Sequence, residues 1–556
     1  MTKIYDLCDA YVDDYTALDP IAATEIGVVG LEHLLTDLSP DGHRARVALA
    51  RDTVARVDAE TPTNDRDRIA ASLIKDRLGA AIAVFDLGEP WRDLRTLGSD
   101  MQAVREVFDL MARDSDDDWH TIATRMRAVP EALDGFRASL DYGRSQAIVA
   151  PRRQADVCAK QAEMWGGLLS GATTPFFLAV AQKYAGDGSV RDELDRAARI
   201  ATDAYAMLAK YIRDEYLPGA DPRDAVGAER YAVFARGHCG AQLDLLDTYA
   251  WGWDELRRIE RAIEQCCNRI EPGADFATAV ARLESDPSRV IEGEDALLAW
   301  LQDRIDRTIS ELNGTHFDIA EPLQRCQAMI APPGGAAAMY YTGPSEDFSR
   351  PGRTWYPTLG NTRFPTWREV SICNHESVPG HHLQIGQVRY LADVLSRYQR
   401  MMGFVSGHGE GWALYAERLM GELGYLEDPG YELGMLAAQS MRAVRVIVDI
   451  GMHLELAVPD DEPGIGGQTW TPELALPFVI ERSRFPENFM RSEVDRYLGL
   501  PGQAITYKVG ERVWLEARDA AKARHGASFD LKAWHAFALD LGATGLDDLT
   551  KELARF

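Results

Sequence analysis

The chain has 556 residues, with 46% apolar and 26% charged residues, the balance of an ordinary globular protein able to bury a substantial core. Its 60 Lys and Arg stand against 87 Asp and Glu, a formal net charge of −27. Such a field repels phosphate backbones, so neither nucleic acid nor an anionic membrane is expected as a partner.

The N-terminal MTKIYDLCDAYVDDY carries Asp6, Asp9, Asp13 and Asp14 where a secretory signal needs an apolar run, and no window of the chain approaches 18 uncharged apolar residues. The seven cysteines are odd in number and form no CxxC pair, which points to buried thiols in a reducing compartment; the expected location is the cytoplasm. Apolar residues at three- and four-residue spacing predict helices over 64–90, 101–149, 151–170, 188–215 and 241–270. Gly188 marks a helix start, and Pro272–Gly273 a stop. A weak break near Gly219–Arg223 divides the chain into a mainly helical lobe, 1–220, and a second helical lobe, 221–556, unless the two form one continuous two-lobed body.

The texture changes over 331–367, which is rich in Pro, Gly and aromatic residues. Ala336–Tyr341 reads as a short strand within it, and a long irregular segment of this kind in a helical protein is often the wall or lid of a site. Helical spacing resumes at Thr366, with breaks near Pro429, 458–472 and 499–503.

Five of the twelve histidines fall between 375 and 453. The segment NHESVPGHHLQ, 374–384, begins like the HExxH helix of zinc peptidases, in which two His one turn apart hold the metal and the Glu is the general base. Here Pro379 stands where the second His belongs. On an unbroken helix His381 leaves the face of His375, while His382 returns to it about 10.5 Å along the axis, long for two imidazoles sharing one ion. Pro379 and Gly380 allow the two extra residues to bulge out, so His381 is favoured over His382 as the partner of His375. Catalytic zinc sites commonly add a carboxylate. Glu410, between glycines in GHGEGWALYAERL, is the candidate third ligand, and Glu417, two turns on, is either a carboxylate supporting a ligand or a surface charge. Glu376 is then the candidate base.

In MRAVRVIVDIGMH, Arg442, Arg445, Asp449 and His453 form a polar stripe on one helical face. It is either an exposed i,i+4 pair, Arg445–Asp449, or a buried network in which Arg442 or Arg445 grips a substrate carboxylate and His453 donates to a polarised carbonyl. Further on, Tyr497 and Tyr507 flank a Pro-Gly turn; a phenol beside the metal stabilises an oxyanion.

Taken together and in order, HESVPGHHLQ, GHGEGWALYAERL, RAVRVIVDIGMH and RYLGLPGQAITYKVG, with LDPIAATEIGV, LSPDG and YYTGPSEDFSRPG, resemble the bacterial family catalogued as domain of unknown function 885, over nearly the whole chain. That family is similar in fold to the helical zinc metallopeptidases of the angiotensin-converting-enzyme, thimet-oligopeptidase and carboxypeptidase Taq type. The resemblance implies a mostly α, bilobed fold with a deep cleft and a small edge strand. It implies one Zn²⁺ on His375, His381 and Glu410, with Glu376 as base and His453 and Tyr507 at the transition state. It also implies a short peptide substrate along an edge strand at Ala336–Tyr341, which brings Tyr340 and Tyr341 to the substrate. Glu417 and Asp449 would stand behind these groups. An inactive peptide-binding or scaffolding protein, or a metal-dependent hydrolase of a non-peptide amide, are the alternatives.

Overall fold

A computed structural model describes residues 2–169, 174–331 and 338–556. The chain is mostly helical, with small sheets. It divides into two compact units: 1–63, 77–233 and 495–500 form the first, and 64–76, 234–494 and 501–556 the second. The division falls inside a helix, Gly227–Cys239, rather than at 220/221, and each unit draws on distant parts of the sequence.

The first unit is organised around helices α1 (Asp116–Ser145), α2 (Arg152–Trp165) and α3 (Ser189–Tyr211). α1 opens with a capping box in which Ser115 and Asp118 satisfy each other's backbone donors. The helix expected over 101–149 is interrupted, because the turn Val107–Asp109 and the polar DSDDD run separate Asp100–Glu106 from α1. The faces of α1 to α3 bury Phe136, Leu140, Ala159, Leu194, Ala198 and Tyr205 in one apolar cluster. Arg125 is buried there, and its guanidinium donates to the carbonyls of Leu34 (2.8 Å) and Pro20 (3.0 Å).

The second unit contains α4 (Leu245–Ile270) and a three-stranded sheet, with strands β1 (Cys326–Ile330), β2 (Tyr340–Thr342) and β3 (Gly352–Tyr356) in the order β1-β3-β2. β1 pairs parallel to β3 and β2 antiparallel to it, so β2 is an edge. The strand expected at Ala336–Tyr341 is therefore shorter and later, Tyr340–Thr342; positions 336 and 337 lie outside the described residues. After the sheet come α5 (Thr366–Glu376), α6 (His381–Tyr390), α7 (Ser406–Glu422), α8 (Pro429–Leu454) and α9 (Thr506–His525). α8 packs along α4 and α5, and α7 packs against α9. Gly411 and Gly510 let α7 and α9 touch backbone to backbone; a Cβ on either would collide with the other's main chain. No described helix is long and apolar enough to cross a membrane.

Candidate metal centre

α5 ends at Glu376, with Ser377 N–H donating to the Cys373 carbonyl. The Val378–Pro379 peptide is cis, and Gly380 N–H turns back to the Asn374 carbonyl (3.1 Å). A Cβ at Gly380 would lie inside the van der Waals radius of the His375 carbonyl oxygen, so this return requires glycine. α6 then begins at His381. The two residues by which the segment exceeds HExxH are taken up in this loop, and the rings of His375 and His381 meet edge to face with centroids 4.8 Å apart.

Glu410, in the first turns of α7, completes a group of three. Its Oε2 stands 3.4 Å from Nε2 of His375 and 3.4 Å from Nε2 of His381. All three candidate ligand atoms lie within 4.8 Å of one another. These separations are long for good hydrogen bonds, and Glu410 Oε2 is buried with no hydrogen-bond partner. They match the edge of a tetrahedron, since donors about 2.0–2.1 Å from one ion stand about 3.3–3.4 Å apart. Two imidazoles and a carboxylate are also the donor set that zinc takes in hydrolytic sites. The residues therefore fit such an ion.

The surroundings favour positive charge at this point. Burial pulls the His375 imidazolium down, but the nearby carboxylates of Glu410 and Glu417 outweigh it and lift the pKa to about 9. Burial likewise pushes Glu410 up, and the two histidines more than reverse this, holding it well below the usual carboxylate range. Glu417 is a buried support rather than a surface charge. It accepts the Nδ1–H of His375 (2.8 Å) and the Ser371 hydroxyl, and lies 3.5 Å from the Arg442 guanidinium. A carboxylate behind a histidine fixes its tautomer and leaves Nε2 as the lone-pair donor. Glu376 is buried beside the group, its Oε2 unpartnered, and burial raises its pKa against the opposing pull of His375 and His381.

His382 stands apart from the group. Its Nε2–H donates to the Leu323 carbonyl (2.9 Å), so Nδ1 is the acceptor for the Tyr341 hydroxyl (3.0 Å). Both nitrogens are satisfied, and burial lowers its pKa to about 4, so it sits neutral.

Arg445 pairs with Glu493 (2.6 Å) and Arg442 is drawn to Glu417, so the two guanidiniums expected to grip a substrate are already engaged. His453 lies eleven residues beyond Arg442 on α8, about 16 Å of helix rise, buried with Asp449 at 3.8 Å. Asp449 accepts from Gly502 N–H (2.9 Å) and holds the turn before α9. Tyr340 and Tyr341 point to opposite faces of β2, as strand neighbours must: Tyr340 stacks on Trp355 with centroids 5.7 Å apart, and Tyr341 serves His382. Tyr507 occupies the first turn of α9, half-buried, its ring 4.7 Å from the Arg445 guanidinium and 5.9 Å from that of Arg442. It sits one turn before the Gly411–Gly510 contact, and Glu410 one residue before it. Ser371, which fixes Glu417, was missed; its position four residues before His375 on the same helical face was the available signal.

The model of the family described as a bacterial protein of unknown function (DUF885) matches residues 20–553, so the chain belongs to that family. Two solved structures share its fold. A candidate lipoprotein from Colwellia psychrerythraea superposes with a TM-score of 0.84 at 22% identity, covering 100% of this chain and 98% of that one. A candidate lipoprotein of unknown function from Shewanella oneidensis gives 0.75 at 16% identity, covering 99% of each. No curated protein matches the sequence.

Proposed function

We propose that this member of the DUF885 family is a zinc-dependent hydrolase of peptide bonds in short peptides, with His375, His381 and Glu410 as the protein ligands of one ion. The observation that carries the reading is the 3.4 Å spacing of Glu410 Oε2 from both imidazole Nε2 atoms, next to a buried carboxylate with an unpartnered oxygen, Glu376. An ion held there supplies Lewis-acid polarisation of the scissile carbonyl and acidifies water. Glu376 is in place to take the proton at Oε2 and to pass it to the leaving amine. Glu417 keeps His375 in the Nε2-donor tautomer. Tyr507, beside α7 and flanked by two guanidiniums, is the donor favoured for the developing oxyanion, ahead of the remote His453. The likeness to the helical zinc metallopeptidases, with a substrate cleft, belongs to this same reading, as does a reducing, cytoplasmic setting, which the seven buried thiols support.

A peptide-library cleavage assay tests the reading. The zinc-loaded chain should cleave short peptides, lose activity on chelation and regain it with zinc, and the Glu376→Gln variant should be inactive with zinc still bound. Chelator-insensitive cleavage, or no cleavage of any peptide by the loaded chain, would refute it.

A further inference from the structure

The carboxylate grip expected of Arg442 and Arg445 is not open, because Glu417 and Glu493 already hold them. Positive charge accumulates elsewhere, at the end of β2. The Arg350 guanidinium donates to the Gly343 carbonyl (2.8 Å) and Arg389 to the Pro344 carbonyl, so both gather on the turn that follows the edge strand. Arg353, on β3 opposite Thr342, donates only to Gln327 (3.1 Å). Arg400 alone has a carboxylate, Glu346 at 2.9 Å. Asp347, on the same loop, turns inward to Ser345 and Ser349. Among the described residues, Arg350, Arg353 and Arg389 have no carboxylate within 4.0 Å, in a chain that carries 87 of them.

All four side chains are half-buried, within reach of a ligand yet partly out of water. The Nε atoms of Arg389 and Arg400 are buried with no partner. Burial pulls Arg350 and Arg389 below the usual arginine range and neighbouring guanidiniums push the same way, with Tyr341 and, at Arg389, Glu346 opposing them only in part. Arginine stays charged regardless, so the crowding is an uncompensated cost that an anion would relieve. The cluster also shares α6 with the metal ligand His381. Arg389 follows His381 by eight residues, about 12 Å of rise, the span of about four residues of extended peptide. Its charge and that of Arg350 both act on the Tyr341 phenol, which burial otherwise pushes well up.

We infer that Arg350 and Arg389, flanked by Arg353 and Arg400, form an anion subsite that takes a carboxylate of a short peptide lying beside the edge strand. The inference rests on the peptide-hydrolase reading for the kind of ligand, but not on the metal. The carboxylate is either the peptide's C-terminus or an acidic side chain near it; forked guanidiniums bind both in the same way.

The test is equilibrium binding to the full-length, metal-free chain by calorimetry. Its probes are N-acetyl-tetra-alanine as free acid, the same peptide as C-terminal amide, and an amide ending in Glu. The free acid, the Glu amide or both should bind at least tenfold more tightly than the neutral amide. Arg350→Gln and Arg389→Gln should each erase the preference, with thermal melts reporting whether they fold; Arg389→Lys should retain part of it. If the arginine variants fail to fold, the comparison of acid and amide on the unaltered chain still decides. Equal binding of acid and amide, no binding of any acid, or a preference that survives in folded variants would overturn the subsite. Because zinc is absent throughout, such a failure leaves the hydrolase reading standing, and its own failure would appear only in the chelation assay.

Discussion

Two helical hubs of this chain are buried to the same depth and filled with opposite chemistry. Around α1, α2 and α3 the interior is Phe, Leu, Ala and Tyr, and the buried guanidinium of Arg125 spends its donors on backbone carbonyls. Around α5, α7, α8 and α9 the interior holds His375, His381, Glu376, Glu417, Arg442 and Lys508, all under one-tenth exposed. Lys508 is itself enclosed by Glu255 (2.7 Å), Gln439 (2.7 Å) and Glu511. Burying charges costs several kcal/mol per ion before their attraction is counted, and apolar residues of similar size would often be as stable. The first hub is thus built for stability. The second keeps charges and two unpartnered carboxylate oxygens, an arrangement that stability alone does not favour and chemistry does.

The sharpest way to break this comparison is to remove function from the second hub without touching its fold. Glu376→Gln should lower peptide turnover about 10²–10⁴-fold, the scale of general-base catalysis, with melting temperature and zinc content unchanged. Loss of zinc along with activity would make Glu376 a ligand instead. The converse change belongs to the first hub. Phe136→Ala should cost about 3–5 kcal/mol in denaturant unfolding, the range for emptying a buried aromatic site, while zinc affinity in the folded protein stays level. A shift in zinc affinity there would show that the hubs do not divide the labour as described.

The division was legible in the sequence only in part. Pro379 and Gly380 announced the bulge, and with it the meeting of His375 and His381, because both act through local backbone geometry. Long-range pairing was not legible: Glu417 and Glu493 reach Arg442 and Arg445 from other helices, and helical period reports which face a residue is on, not what faces it. Period also hides distance along an axis: His453 shares a stripe with Arg442 yet stands about three turns further along α8. The two compact units were obscured for another reason, since 64–76 and 495–500 cross between them and leave no composition break.

A smaller effect sharpens the role of Glu417. Glu417→Gln should weaken zinc about 10–100-fold by chelator competition, because His375 loses an anionic acceptor while Ser371 and Arg442 lose part of theirs. Unchanged affinity would return Glu417 to a purely structural role.

Smallest is a pH effect with one representative in each unit. Burial pushes His43 in the first and His535 in the second down to about 3, the latter with the Tyr415 hydroxyl at 2.7 Å from its Nε2. Each is neutral when folded and takes a proton when unfolded below about pH 6.5. Their contribution is intact above that value and is lost as pH falls toward 3, at no more than about 1.4 kcal/mol per pH unit per histidine. His535→Gln, which keeps an acceptor for Tyr415, should flatten the fall in unfolding free energy between pH 6.5 and 4.5; an unchanged slope would mean that other groups set it.

The central claim is that two adjacent histidines, His381 and His382, have been given different work by one bulge. Zinc stoichiometry by elemental analysis of the purified unaltered chain and its two alanine variants addresses it directly. The account predicts one zinc per chain in the unaltered protein and in His382→Ala, and a loss to well under a tenth in His381→Ala with the fold intact by circular dichroism. Stoichiometric zinc in His381→Ala, or none in the unaltered chain after incubation with the metal, would contradict it.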